Sequence, residues 1–174
     1  MNKKLQGLYN HLEESRRQLI DEFAKHKTAQ LETCPAVGKW SVAQIVYHLN
    51  QAESVSMNYV RKKMLETDKI KDTGISEAIK LTFLRALFES PVKFKMPENL
   101  LGEMPEKADY ETVLRNWNNT RADLKQLLES MPEDMLTKNL YKQPGIGRIN
   151  VYQMVKFMQI HFNRHKRQAK RAIK

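Results

Sequence analysis

The chain has a single cysteine, Cys34, among 174 residues. One thiol excludes an intrachain disulfide and any metal cluster built on several cysteines; this fits a reducing compartment, and a cytoplasmic protein is expected. Long apolar runs are missing too. No stretch approaches the roughly 20 residues needed to cross a bilayer, so no membrane partner is expected. The opening segment MNKKLQGLYNHLEES carries basic residues with no apolar block behind them, and reads as the start of a helix rather than a secretory signal.

Acidic residues are absent from one end. Residues 135–174 hold ten Lys/Arg and no Asp or Glu, whereas residues 1–134 hold twenty of each sign. The formal charge of +10 is therefore C-terminal. Such a block reads either as a footprint for nucleic acid or another anionic ligand, or as a solvated helix face whose cations complement the helix dipole. No interleaved aromatic and basic residues and no nucleic-acid motif accompany it. The solvated face is the reading adopted, and nucleic acid is not an expected partner.

What is present is helical periodicity along most of the chain. Leu5, Leu8, Tyr9, Leu12, Leu19, Ile20 and Phe23 predict a first helix over 2–27. Ser15 and Arg16 interrupt its stripe; they read either as lining the open side of a pocket or as a patch facing solvent, and the solvent-facing patch is the reading adopted. After the breaker segment TCPAVGKW, a second helix starts at Ser41 and runs to about residue 65. A third is expected over 110–130 and a fourth from Val151 almost to the last residue. Ser41 with Gln44, and Asn150 with Gln153, have capping-box spacing. Trp40 with Ile45 and Ile149 with Met154 are the flanking hydrophobic staples.

The long connection between helices two and three includes SEAIKLTFLRALFES, read as a shorter helix, and PVKFKMPENLLGEMPEKAD, read as a turn-rich strap. Its length allows helices two and three to run in the same direction. The fold class expected is all-α, a four-helix bundle with a crossover, in a single domain over residues 1–174.

The chemistry is concentrated in histidines. His161 and His165 are four apart on the last helix, so they share a face about 40° wide, the face that also carries Met154 and Met158. His48 sits beside Ile45 and Ala52 on helix two. A buried imidazole without partners costs roughly 1–3 kcal/mol, so three on apolar faces call for an explanation. Spacing alone leaves two readings open: core-edge histidines satisfied by hydrogen bonds, or three nitrogen donors around a metal with an open coordination position. No glutamate lies between His161 and His165, so the H-E-x-x-H metalloprotease arrangement is absent. Glu53 is about 140° from His48 around its helix and is a poor candidate ligand. His11 and His26 read as solvated or capping residues. Phe94, Met96 and Leu100 of the strap could wall a cavity or simply pack.

Taken together, KWSVAQIVYHLNQAE and HFNRHKRQ resemble the DinB-like superfamily, whose members include bacterial S-transferases of the bacillithiol and mycothiol type. The resemblance implies an up-down-down-up four-helix bundle, commonly a homodimer, with a divalent metal held by three histidines that map onto His48, His161 and His165. It aligns Gln168 with the glutamine that follows the histidine pair. Zinc, nickel, iron, manganese and copper are all compatible with three imidazoles.

The function expected is a metal-dependent thiol S-transferase, in which the metal activates a low-molecular-weight thiol for attack on an electrophilic small molecule. One alternative is a metal-dependent hydrolase using water. Another is a non-catalytic binding protein that uses the basic C-terminal helix.

Overall fold

The computed structural model describes residues 1–66, 70–74, 103–143 and 147–173, with isolated positions 79, 82, 85 and 86. Four long helices dominate: α1 (Lys3–Phe23), α3 (Val42–Met64), α4 (Tyr110–Glu129) and α5 (Val151–Ala172), with a short α2 (Thr28–Glu32) between the first two. The shorter helix and most of the strap expected between α3 and α4, with Phe94, Met96 and Leu100, lie outside the described residues.

The first helix ends earlier than its apolar periodicity suggested. It stops at Phe23, and the chain re-enters a helix at Thr28. The next stripe positions after Phe23 are His26 and Lys27, so a continuing helix would have no apolar side chain to bury there. Instead, Gln30 Oε1 accepts a hydrogen bond from Lys27 N at 3.0 Å and starts α2, which buries Leu31.

Side-chain pairs give the helix directions. Gln44 near the start of α3 donates to the carbonyls of Pro105 and Glu106, just before α4, and Glu53 further along α3 meets Trp117 and Arg121 further along α4. These two helices are therefore parallel. Lys4 lies over the Tyr152 ring, Ser15 accepts from Gln159, and Glu22 pairs with Lys170, so α1 and α5 are parallel as well. His48 near the start of α3 faces the second half of α5, while Ser56 reaches Tyr141, ahead of α5. The bundle is up-down-down-up, the arrangement that the long connection between α3 and α4 permits.

One apolar core joins all four helices, with Leu5, Phe23, Leu49, Trp117, Leu124 and Phe162 almost fully enclosed. The Ser15–Arg16 interruption does not face solvent as expected. Arg16 is buried, bonded to both carboxylate oxygens of Glu13 and to Asn118 Oδ1 on α4. Burial opposes ionisation of Glu13, yet the bond and charge of Arg16, with Arg121 and Arg17, hold its carboxyl below the ordinary range. Beside it, Glu53 accepts two bonds of 2.7 Å from Arg121 and one of 3.0 Å from the Trp117 indole. Two charges of each sign thus replace apolar contacts at the meeting of α1, α3 and α4.

A small antiparallel hairpin, β1 (Tyr141–Gln143) and β2 (Gly147–Ile149), precedes α5 and pairs Tyr141 with Ile149. It was not expected from the sequence, since strands of three residues are too short to show alternation. Gly147 adopts φ +103°, which favours glycine. The buried Ile149 anchors the strand from which α5 departs.

Candidate metal centre

The two helices that carry the histidines start in closely fixed positions. Ser41 Oγ accepts from Gln44 N at 3.2 Å while Gln44 Oε1 accepts from Ser41 N at 2.9 Å. Asn150 and Gln153 make the same reciprocal pair at 3.0 and 3.1 Å. Both capping boxes read from the sequence are formed. Gln44 also donates to Pro105 O and Glu106 O, which ties the start of α3 to the segment leading into α4.

From those starts, His48 on α3 and His161 and His165 on α5 meet across the seam between the helices. Their ring centroids are 5.1 Å apart for His48 and His161, and 4.5 Å for each of the other two pairs. One nitrogen from each ring lies within 4.8 Å of the other two. His48 Nε2 and His161 Nε2 are 3.2 Å apart. Two nitrogens on a tetrahedral ion at 2.0–2.1 Å would be separated by about 3.3 Å, so the pair already has ligand spacing.

All three rings are buried, and their protonation follows from that. Burial pushes His48 down to about 4. Burial, then the neighbouring His48, takes His165 down to about 3, with Gln168 acting in the opposite direction and Arg164 in the same one. Burial, followed by His165, His48 and Arg164, holds His161 well below the ordinary histidine range. At neutral pH all three are uncharged, the form in which an imidazole offers a lone pair to a cation.

The surroundings orient the rings. His165 Nδ1 lies 2.9 Å from Gln168 Oε1; with Nδ1–H donating to that carbonyl oxygen, Nε2 is left for the site. Phe157, one turn before His161, stacks on its ring at 5.9 Å and 14°. Trp40 lies 5.1 Å from His48 and stacks on His165 at 6.3 Å and 16°.

Sequence reasoning had placed Trp40 only as a staple at the start of α3. Its position next to the cap was the available signal, but the contact with His165 depends on α5. Met154 and Met158 are buried on the His161 face, as expected. Glu53 turns away to Arg121 and Trp117 and stands outside the cluster. His11 is exposed, His26 is half-buried, and neither joins the triad.

A family model for the DinB superfamily matches residues 11–169. The chain belongs to the DinB superfamily. Among solved structures, this DinB chain is similar to YfiT from Bacillus subtilis, described as "a probable metal-dependent hydrolase with an unusual four-helix bundle topology". The TM-score is 0.61 at 19% identity, over 99% of this chain and 87% of that one. At that identity the likeness is one of fold. Among curated proteins, none matches. No described helix is long and apolar enough to cross a membrane.

Proposed function

We propose that His48, His161 and His165 hold a divalent metal ion, and that residues 1–174 form a single-domain, metal-dependent enzyme acting on a small molecule, a thiol S-transferase. The observation that carries this reading is the convergence of three buried, uncharged imidazoles within 4.8 Å. Uncoordinated, such a cluster buries three polar rings at a desolvation cost; around one cation their lone pairs are satisfied together.

When bound, the metal supplies Lewis acidity, which favours the deprotonated form of a thiol or water at its open position. The chain's own residues do the rest. Gln168 fixes which nitrogen of His165 is presented. Trp40 and Phe157 wall the rings and limit water around them. The low pKa of each imidazole keeps the ligands uncharged, with a lone pair on one ring nitrogen, throughout the physiological range.

The second reading is a hydrolase, favoured by the description given to YfiT. Both chemistries need the same three nitrogens, so the triad does not separate them. The test has two stages. Elemental analysis of purified protein is compared with a His48→Ala, His161→Ala, His165→Ala variant; about one equivalent of metal in the wild type and none in the variant is expected. Metal-loaded protein is then given a thiol with 1-chloro-2,4-dinitrobenzene, and separately a nitrophenyl ester without thiol. Metal-dependent thiol consumption supports the transferase, and metal-dependent ester cleavage with inert thiols supports the hydrolase. Equal, negligible metal in both proteins would remove the basis for either.

A further inference from the structure

The chain's two tryptophans have different surroundings. Trp117 is fully enclosed, and its indole N–H donates to Glu53 Oε2 at 3.0 Å. A tryptophan that serves packing alone gains most in this way, buried with its one polar group bonded. Trp40 has neither advantage. It is only half-buried, and none of the described residues accepts a hydrogen bond from its indole. Its ring lies against two of the proposed ligands instead, 5.1 Å from His48 and stacked on His165 at 6.3 Å and 16°.

The triad is covered differently on its two sides. Phe157, which stacks on His161, is itself buried. Trp40, which meets His48 and His165, reaches the surface, so the centre is nearest solvent on the Trp40 side. The segment that leads into Trp40 is an exposed turn: Lys39 N donates to Ala36 O at 3.0 Å, and Gly38 adopts φ +71°, as the third position of a type II turn requires. Val37 at its tip is fully exposed. An apolar side chain and an aromatic ring therefore stand at the surface within four residues of each other, beside two of the histidines. Tryptophan can also receive a cation on its face. Here Lys39 immediately precedes Trp40 and Lys166 immediately follows His165, and their charge disfavours a positively charged partner.

We propose that Trp40 is a substrate-binding residue whose open surface stacks on an aromatic group of an uncharged or anionic small molecule, while the reacting atom of that molecule sits at the His48–His161–His165 centre. A flat ring would continue the parallel order that Trp40 and His165 already form. This assignment rests on the metal-centre reading for the position of the reacting atom, and it is the same for thiol transfer and for hydrolysis.

Cobalt(II)-loaded protein is titrated with benzohydroxamate, cyclohexanecarbohydroxamate and acetohydroxamate, which offer a metal the same two oxygens and differ in the attached group, and binding is read from the cobalt d–d absorption. Wild type should bind the aromatic probe about tenfold more tightly than the methyl one, with the saturated ring between them. Trp40→Leu should remove that order, and Trp40→Phe should retain most of it. Each preference is a ratio within one protein, so a general change in metal affinity cancels. Equal affinities in wild type, or an order unchanged in Trp40→Leu, would overturn the proposal. If wild type takes up no metal, the metal-centre reading fails separately, and the aromatic site is decided on metal-free wild type. Benzohydroxamate is then added while the two indole N–H resonances are followed by NMR, with Trp117 as the internal control. A saturable shift confined to Trp40 supports the site; no shift of Trp40, or one shared with Trp117, overturns it.

Discussion

His48 Nε2 and His161 Nε2 lie 3.2 Å apart across the seam between α3 and α5, although the residues are separated by 113 positions in the chain. Two imidazole lone pairs at that distance repel unless a proton or a cation lies between them. Both rings are buried and uncharged at neutral pH, so the two nitrogens are satisfied either by the Nε2–H of one neutral ring donating to the other or by a shared cation, and the proposed centre uses the cation. Replacing His48 with Ala should therefore lower metal affinity by more than the roughly 10–100-fold that loss of an outer hydrogen-bonding partner costs. Competition with a chromophoric chelator measures it; unchanged affinity would exclude His48 as a ligand.

Gln168→Ala should lower metal affinity by about 10–100-fold, because His165 loses the bond that holds its Nδ1–H outward. The accompanying change is in the tautomer. The ¹⁵N shifts of His165 in metal-free protein should move from one Nδ1–H form toward a mixture. Gln168→Glu keeps an acceptor and should restore the single form.

The metal-free protein should lose stability as the pH falls. The three histidines have folded pKa values of about 4, about 3 and well below normal, against about 6.5 in the unfolded chain. Between those limits the unfolded state binds more protons, so the free energy of unfolding decreases steadily as the pH drops below about 6.5 and continues to do so to about 3. Urea midpoints at pH 7, 5 and 4 would show the decline. Buried carboxylates such as Glu13 contribute to it at the acid end, so the triple alanine variant supplies the reference and should decline less steeply.

Breaking the buried pair between Glu53 and Arg121 should be costly. Glu53→Ala leaves a guanidinium that is 1% exposed without its main partner, and about 3–5 kcal/mol of stability should be lost. The double variant Glu53→Leu, Arg121→Met should lose much less, since no charge is then stranded. Denaturant midpoints of the single and double variants test this. If the two lose equal amounts, the destabilisation comes from packing instead.

The parts of this fold that the sequence expressed are those set by local chemistry. Apolar positions three and four apart marked α3, α4 and α5, and the Ser41–Gln44 and Asn150–Gln153 spacings marked the starts of α3 and α5; both reciprocal caps are formed. The end of α1 was less legible. The stripe decays gradually, and the bond from Lys27 N to Gln30 Oε1 that begins α2 looks like any polar pair in a loop.

At the candidate site, spacing placed His161 and His165 on one face and His48 on another, and the structure brings their donor nitrogens within 4.8 Å. Trp40 was legible only as part of a cap. Its stack on His165 joins residues 125 positions apart, and no periodicity within one helix encodes such a contact. The same limit hid the burial of Arg16: its pair with Glu13 is a local i,i+3 contact within α1, but the Asn118 side-chain carbonyl that it meets is on α4, and only the packing of that helix encloses the charge.

By itself, the sequence determined which segments become helices, where two of them begin and which imidazoles occupy apolar faces, because each of these depends on residues within a turn or two of one another. Only the tertiary structure decided which histidine meets which, what walls them, and that four charged side chains belong inside rather than outside. Those outcomes depend on the neighbouring helix, whose distance and rotation are set by the packing of the whole core.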